Sequence, residues 1–207
     1  MKKVKMEDPR TTRVADLQPG EYSDGAPLHD IQYLQCKLIL KTDEFTSPKG
    51  FRKYGKLVAQ AARECGVGFD TSSAKGSKPA IREVMFLDTG DFRLYNNAFI
   101  LRRRVQFEDG FPVGKPEIVF KFRHPDQQRA AEVDVRPNIP GDYRIKFKAE
   151  ALPLKDAVGG YRLLFSHNVQ FPLSSVPQGD RTAMATLADL FPALRTLQQS
   201  EGEHVEL

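Results

Sequence analysis

The clearest pattern in the chain is a series of short segments in which apolar and polar residues alternate. A period of two is typical of a β-strand with one buried face. Turn residues separate the segments, so the pattern predicts about six strands joined by short connections. The predicted strands cover 31–40, 81–88, 98–107, 116–123, 131–136 and 143–150, with a weaker one at 161–171.

Two other segments repeat their apolar residues at helical spacing. In the first, Ser47 is a typical N-cap, Pro48 suits the first helical position and Gly66 suits the end. The second is predicted to begin at Asp180 and to end at Pro192. It should turn three apolar side chains inward: Met184, Leu187 and Leu190.

The order and spacing of these elements indicate an α+β fold. Consecutive strands with short connections favour antiparallel pairing over parallel βαβ units. Residues 1–29 mix charged residues with Pro, Gly and Ser without periodicity, which predicts a loose N-terminal leader. Residues 30–207 are then expected to form one domain, since 207 residues suit a single domain of ordinary size.

The composition supports a globular protein and excludes several classes. Hydrophobic residues make up 40% of the chain and charged residues 28%, which is enough for a core. No stretch approaches the roughly 20 apolar residues of a membrane span, and the N-terminus does not resemble a signal peptide. We therefore expect a cytoplasmic protein without a membrane partner. Two cysteines and four scattered histidines exclude a zinc site of the usual spacing.

Charge is more informative in its arrangement than in its sum, because the net charge is only +4. Cationic residues recur two positions apart on several predicted strands, which puts each pair on one face of the sheet. A single pair is commonly a solvated face, but like charges on neighbouring strands repel. Their repetition therefore favours an anionic partner. The residues concerned are Lys37, Arg102, Arg104, Lys121, Arg123, Lys146 and Lys148.

Glu132 and Asp134 show the same spacing with the opposite charge. Carboxylates two residues apart on a strand can form salt bridges with neighbouring arginines. They can equally supply oxygen ligands to a hard divalent cation. The sequence leaves both interpretations open.

Residues 86–104, FLDTGDFRLYNNAFILRRR, resemble the signature of the CYTH domain, also called the triphosphate tunnel metalloenzymes. IVFKFR resembles the next strand of that family, and EVDV and YRIKFK resemble its following acidic and basic strands. The resemblance covers about residues 31–150. The signature positions are filled by Asp88, Thr89, Leu94, Leu101, Arg102 and Arg104.

The resemblance implies an antiparallel β tunnel, or a strongly curved open barrel, with flanking helices. It also implies binding of triphosphate or polyphosphate with magnesium or manganese, and for some members hydrolysis of the triphosphate. The cations named above would bind phosphate, and Glu132 and Asp134 would bind the metal. Catalysis in such a site would consist of positioning, charge neutralisation and metal activation of water.

The chain departs from the family in its opening strand, where Glu-x-Glu-x-Lys is expected. Here the segment contains Tyr33, Gln35 and Lys37, so only the lysine matches. Tyrosine cannot replace a carboxylate on magnesium, and glutamine offers only a neutral carbonyl. We therefore expect phosphate binding with weak or altered phosphohydrolase activity.

Two other functions stay open at this point. The basic strands could bind the backbone of a nucleic acid, with bases stacked on Tyr33, Phe107 or Tyr161. Alternatively, the chain is a non-catalytic scaffold with a degenerate tunnel. Steep salt dependence on long single strands would favour the first, and failure to bind any polyphosphate would favour the second.

The number of strands bears on closure of the sheet. A closed tunnel of the family's kind needs eight strands, and closure is what removes exposed edges. With about six strands, and with a further strand starting only at EHVEL, we expect an open, strongly curved sheet, incomplete at the C-terminus. Such an edge would pair with a second chain, be covered by the helix from Asp180 or remain a liability for association. We expect the chain to form a homodimer, or to aggregate, along it.

Overall fold

The computed structural model describes residues 11–13, 30–70, 80–139, 142–172, 181–199, 202 and 204–206. The chain divides into two compact units. The smaller unit is Leu38–Ile81, and the larger combines Met1–Lys37 with Arg82–Leu207. All predicted site residues belong to the larger unit.

The larger unit is built on a seven-stranded sheet. Its strands are β1 (Thr11–Arg13), β2 (Leu34–Cys36), β3 (Ile81–Leu87), β4 (Phe99–Glu108), β5 (Phe111–His124), β6 (Asp142–Pro153) and β7 (Tyr161–Pro172). They lie in the order β1-β6-β7-β5-β4-β3, and β2 also pairs with β6. Most predicted strands are thus confirmed, although β2 is much shorter than 31–40.

The sheet is mixed rather than purely antiparallel. The pairs β4–β5, β5–β7 and β6–β7 are antiparallel, whereas β2 pairs with β6 in parallel. β7 lies between β5 and β6, so the chain must cross over from β5 to β6. Helix α3, Gln127–Glu132, occupies that crossover. The prediction that consecutive strands are antiparallel neighbours joined by short connections is therefore wrong between β5 and β6.

The predicted strand 131–136 is therefore wrong. The side chain of Asp126 accepts a hydrogen bond from the Arg129 backbone N–H at 3.0 Å, which caps α3. After the helix the chain is extended but unpaired, and Val135 and Ile139 are buried in the core. The alternation in this segment thus reflects packing on the sheet, not strand pairing.

The first predicted helix is confirmed as α1, Pro48–Glu64, in the smaller unit. Ser47 is its N-cap, and Gly66 follows its end with a φ of +68°, a conformation that favours glycine. A 3-10 helix, Thr42–Glu44, precedes it. None of the residues of α1 is buried.

The second predicted helix is confirmed in its apolar face and its end. Helix α4 spans Met184–Leu190, and a 3-10 helix begins at Pro192. Asp180, the predicted start, lies outside the described residues. The preceding residues form β8, Arg181–Ala183, which pairs with β9, His204–Glu206. The strand expected in EHVEL therefore exists, but it pairs with β8 and not with the large sheet. The three inward residues are as predicted: Met184, Leu187 and Leu190.

The core lies on one face of the sheet, between the strands and the segment that contains α4. Phe120 of β5 is fully buried and stacks on Phe191, with 4.2 Å between ring centroids. Ile145 and Val169 on β6 and β7 belong to the same cluster. Helix α3 packs on this face too, through Ala130. The opposite face of the sheet carries the cations that the sequence predicts to bind an anion.

The α+β class is confirmed by this arrangement. Within the described part of the chain, the sheet runs from β1 and β2 at one end to β3 at the other without closing. Of the predicted loose leader, Thr11–Arg13 form β1, and the rest of 1–29 lies outside the described residues. The described helices include none with the length and apolar character that crossing a bilayer requires.

Candidate anion-binding surface

The strand registers place the predicted cations on the face opposite the core. Lys121 lies between Ile100 of β4 and Asn168 of β7, and Lys146 lies on the other side of Asn168. The shared face that the period of two predicted is thus confirmed. We call it the basic surface: Lys37, Arg102, Arg104, Lys121, Arg123, Lys146 and Lys148.

The residues between these cations face the core, also as predicted. Leu101, Ile118, Phe120 and Phe122 are buried in the main cluster. Arg103 has the same orientation and its Nη1 lies 3.9 Å from the sulfur of Met85. Because Arg103 and the basic surface lie on opposite faces of the sheet, replacing Arg103 is a control that removes one positive charge but leaves the basic surface unchanged.

A buried carboxylate, Glu150, lies at the centre of the basic surface. Its side chain is 0% exposed, and its Oε1 accepts hydrogen bonds from the Nζ atoms of Lys37 at 2.7 Å and Lys121 at 2.9 Å. The Nζ of Lys148 lies 3.0 Å from the same oxygen, and Nη1 of Arg123 lies 3.8 Å from Oε2. Four cations, from β5, β6 and the segment after β2, thus surround one carboxylate.

Sequence reasoning missed Glu150, although a signal was present. Residues 146, 148 and 150 follow the same period of two in β6, so the position shares a face with Lys146 and Lys148. The prediction for that segment used only its two lysines. The register of β6 with β7, which places Glu150 beside Leu164, completes its burial from water.

The residues of the altered opening strand lie against this cluster. Because β2 runs parallel to β6, Gln35 is opposite Glu150, and its Oε1 accepts a hydrogen bond from Lys148 Nζ at 2.6 Å. The ring of Tyr33 lies 5.9 Å from Lys146 Nζ and 5.8 Å from Lys148 Nζ, within cation–π range. Both Tyr33 and Gln35 are thus neutral groups in contact with lysines.

The electrostatics of the cluster follow from burial and charge together. Burial alone would raise the pKa of Glu150, but hydrogen bonds from Lys37 and Lys121 outweigh it and hold this pKa well below its usual range. Burial lowers the pKa of Lys121 to about 7, against the opposing hydrogen bond to Glu150. Burial and the charge of Arg104 lower the pKa of Arg102 to about 10.

The positive charge of this cluster exceeds its negative charge. Glu150 carries one negative charge against four nearby cationic side chains, an excess of three when Lys121 is protonated. Arg102 adds another cation, and its buried Nε has no hydrogen-bond partner in the described part of the protein. Arg104 differs from Arg102 in having a carboxylate, that of Glu117, directly opposite it on β5. An unbalanced cluster of this kind favours an anionic ligand.

Glu132 and Asp134 do not lie on the basic surface but on the core face of the sheet, where α3 packs. The Oε1 of Glu132 accepts a hydrogen bond from Gln128 at 3.1 Å. Asp134 forms a two-pronged ion pair with Arg136, with Nε of Arg136 2.7 Å from Oδ1. Both residues line a cavity of about 460 Å³ whose walls include Phe99 and Phe122 of the core face.

The donor groups therefore do not fit a divalent cation that also contacts phosphate on the basic surface. Asp134 is occupied by Arg136, and the structure separates it from Lys121 by the sheet itself. Three ammonium groups contact Oε1 of Glu150, and their positive charge disfavours a further cation beside this carboxylate. Across the described ranges, no group of three His, Cys, Asp or Glu side chains is arranged to hold a metal.

The Asp-Thr part of the signature has a structural position. The carboxylate of Asp88 accepts hydrogen bonds from the backbone N–H groups of Thr89 and Leu94 at 2.8 Å and of Tyr95 at 2.9 Å. It thereby caps the short helix α2, Arg93–Asn96, and leads the chain into β4. This turn fixes the start of the strand that carries Arg102 and Arg104.

Of the three aromatic residues considered for base stacking, Tyr33 contacts the cations of the basic surface. Phe107 is half-buried near the end of β4, and Tyr161 is exposed at the start of β7. Comparisons of the chain with protein-family models, with curated proteins and with solved structures found no match.

Proposed function

We propose that the basic surface binds a triphosphate or polyphosphate. The observation that carries this proposal is the cluster at Glu150, in which one buried carboxylate faces four cations. Keeping like charges this close costs free energy unless an anion compensates them. A bound phosphate chain would provide that compensation through charge-assisted hydrogen bonds.

The spread of the cations favours a chain of phosphates over a single one. The seven residues of the basic surface come from β4, β5, β6 and the segment after β2. Neighbouring strands are about 4.8 Å apart, so one small anion cannot reach all of them. Several linked phosphates can contact the lysines around Glu150 and the guanidinium of Arg102 together.

We extend the proposal to the shape of the site and to its chemistry. A strongly curved, tunnel-like sheet would enclose the ligand, either within one chain or by pairing of a free edge with a second copy. Magnesium or manganese stays a prediction. Because the cations around Glu150 repel a further positive charge, the ion would have to arrive with the ligand as a metal–polyphosphate complex. Any hydrolysis should then be slow.

Nucleic-acid binding is the second candidate, and the position of Tyr33 favours it. An aromatic ring beside Lys146 and Lys148 is suited to stacking a base while the lysines contact phosphates. A scaffold without a ligand is the third candidate. These alternatives differ in what they bind and in how binding responds to salt.

A thermal-shift screen distinguishes the candidates, because a ligand that binds the native state raises its apparent stability. The panel contains inorganic triphosphate, longer polyphosphate, nucleoside triphosphates and a single-stranded oligonucleotide, each with and without magnesium or manganese. We expect the largest shifts from the polyphosphates in the absence of metal. A shift confined to the oligonucleotide would replace the proposal by the second candidate. No shift from any anion at low salt would favour the third.

A further inference from the structure

We propose that Glu150 keeps the buried Lys121 charged up to about neutral pH in the ligand-free protein. Above neutrality Lys121 is uncharged in the free protein, so an anion that binds at the basic surface brings about uptake of one proton by Lys121. The inference rests on the proposed function, since it concerns the same surface. It goes beyond that function by assigning the control of its pH range to one pair of residues, with Glu150 as a positioning residue.

Lys121 is the most enclosed cation of the basic surface. It lies on β5, with β4 on one side and β7 on the other, and its side chain is only 5% exposed. An ammonium group this poorly hydrated loses its proton unless a carboxylate compensates it. Among the described residues that surround its Nζ, Glu150 at 2.9 Å is the carboxylate in hydrogen-bond contact.

The other groups on this face do not help to keep Lys121 charged. The strand of Lys121 itself carries Arg123 and, farther away, Glu117, and the neighbouring β4 carries Arg102. Besides Glu150, β6 carries Lys146 and Lys148, and the segment around β2 carries Tyr33 and Lys37. The residues of β7 on this face, Ser166 and Asn168, are uncharged. The charges of Arg123 and Lys37 disfavour a further cation, and the hydrogen bond that Lys121 donates to Glu150 opposes them.

The balance leaves Lys121 close to titration near neutral pH. Burial, and next the charge of Arg123, lower its pKa to about 7, while Glu150 prevents a larger decrease. An anion bound beside Lys121 adds negative charge and must raise this pKa. Between the pKa of the free protein and the higher pKa of the complex, binding therefore takes up a proton. Over the same range the affinity falls as the pH rises.

Titration calorimetry with sulfate tests this coupling, because sulfate keeps the same charge throughout the neutral range. Repeating each titration in two buffers of different ionisation enthalpy gives the number of protons taken up per anion, from about pH 6 to about pH 9. For the wild-type chain we expect uptake that rises towards one proton above neutrality. The affinity should fall by up to about tenfold per pH unit.

Three variants assign the proton to the pair. Lys121→Arg keeps the charge on a group that does not titrate in this range, so uptake should disappear. Glu150→Gln removes the compensating charge, so uptake should begin at least about one pH unit lower. Glu150→Asp keeps that charge and should stay closer to the wild type than Glu150→Gln does. Asp156→Asn, in the exposed loop after β6, changes the net charge equally and should leave the profile unchanged.

The outcomes separate this inference from the proposed function. A chain that binds neither sulfate nor triphosphate contradicts the proposed function. Binding of both without proton uptake contradicts only the coupling. Uptake that persists in Lys121→Arg, or a folded Glu150→Gln chain with an unshifted profile, would assign the proton to another group and overturn the inference. If Glu150→Gln does not fold, the Lys121→Arg and Glu150→Asp profiles decide.

Discussion

Replacing Lys121 by methionine is expected to weaken triphosphate binding while leaving the fold intact. Methionine fills a similar volume but has no charge and no donor, so it removes the ammonium without opening a large cavity. Glu150 keeps its contacts with Lys37 and Lys148 in this variant. The change thus removes one phosphate contact and preserves the rest of the cluster.

The expected magnitude follows from the kind of contact that is lost. A hydrogen bond to a charged group contributes about 1.5–3 kcal/mol, which corresponds to a roughly 10- to 150-fold weaker complex. The effect on folding should be smaller, within about 1–2 kcal/mol. Lys121 is 4% exposed, so its removal also relieves a desolvation cost that partly offsets the lost ion pair.

Arg103→Met is the matched control. It removes one positive charge from the adjacent strand β4, but from the core side of the sheet. Calorimetric titration with inorganic triphosphate at fixed pH and ionic strength should show a large loss for Lys121→Met and a loss of less than about threefold for Arg103→Met. Equal losses would mean that only general basicity attracts the ligand, and would refute the argument from the shared face.

Three further predictions address the metal, the turn and the core. Changing Tyr33 and Gln35 together to Glu adds two carboxylates beside the lysines of β6, so calorimetry should show stronger manganese binding. Robust metal-dependent triphosphatase activity in the unmodified chain would contradict the view that these two positions lack metal ligands. Asp88→Ala removes the acceptor of three backbone N–H groups and should lower the free energy of unfolding in urea by about 1–3 kcal/mol, whereas an unchanged midpoint would show that water replaces it. Leu187→Ala should cost about 2–5 kcal/mol in the same assay because the side chain is buried in the main core, and a loss below about 1 kcal/mol would place it outside that core.

The sharing of one face by the cations was predictable, because strand periodicity is a local property. Around Arg102 and Lys121, the alternate positions hold apolar residues of the core: Phe99 and Leu101 in β4, and Ile118, Phe120 and Phe122 in β5. This local alternation determines which way Arg102 and Lys121 point. The end of α4 before Pro192 was predictable for the same reason, since proline acts on its own turn.

The features that depend on distant parts of the chain were not predictable. The alternation at 131–136 resembles a strand, but its apolar residues pack on a sheet formed by other segments. The insertion of β7 between β5 and β6 is a property of topology, which strand periodicity does not encode. Glu150 was missed because its partners are distant in sequence: Lys121 on β5 is 29 residues away and Lys37, after β2, is 113 residues away.

Titration of the unmodified chain with inorganic triphosphate in metal-free buffer tests the central claim most directly. The account predicts saturable binding of one triphosphate per basic surface, and binding should weaken as salt is raised because several ion pairs contribute. Phosphate alone should bind more weakly than triphosphate. A folded chain that gives no saturable binding of triphosphate at low salt would contradict the account.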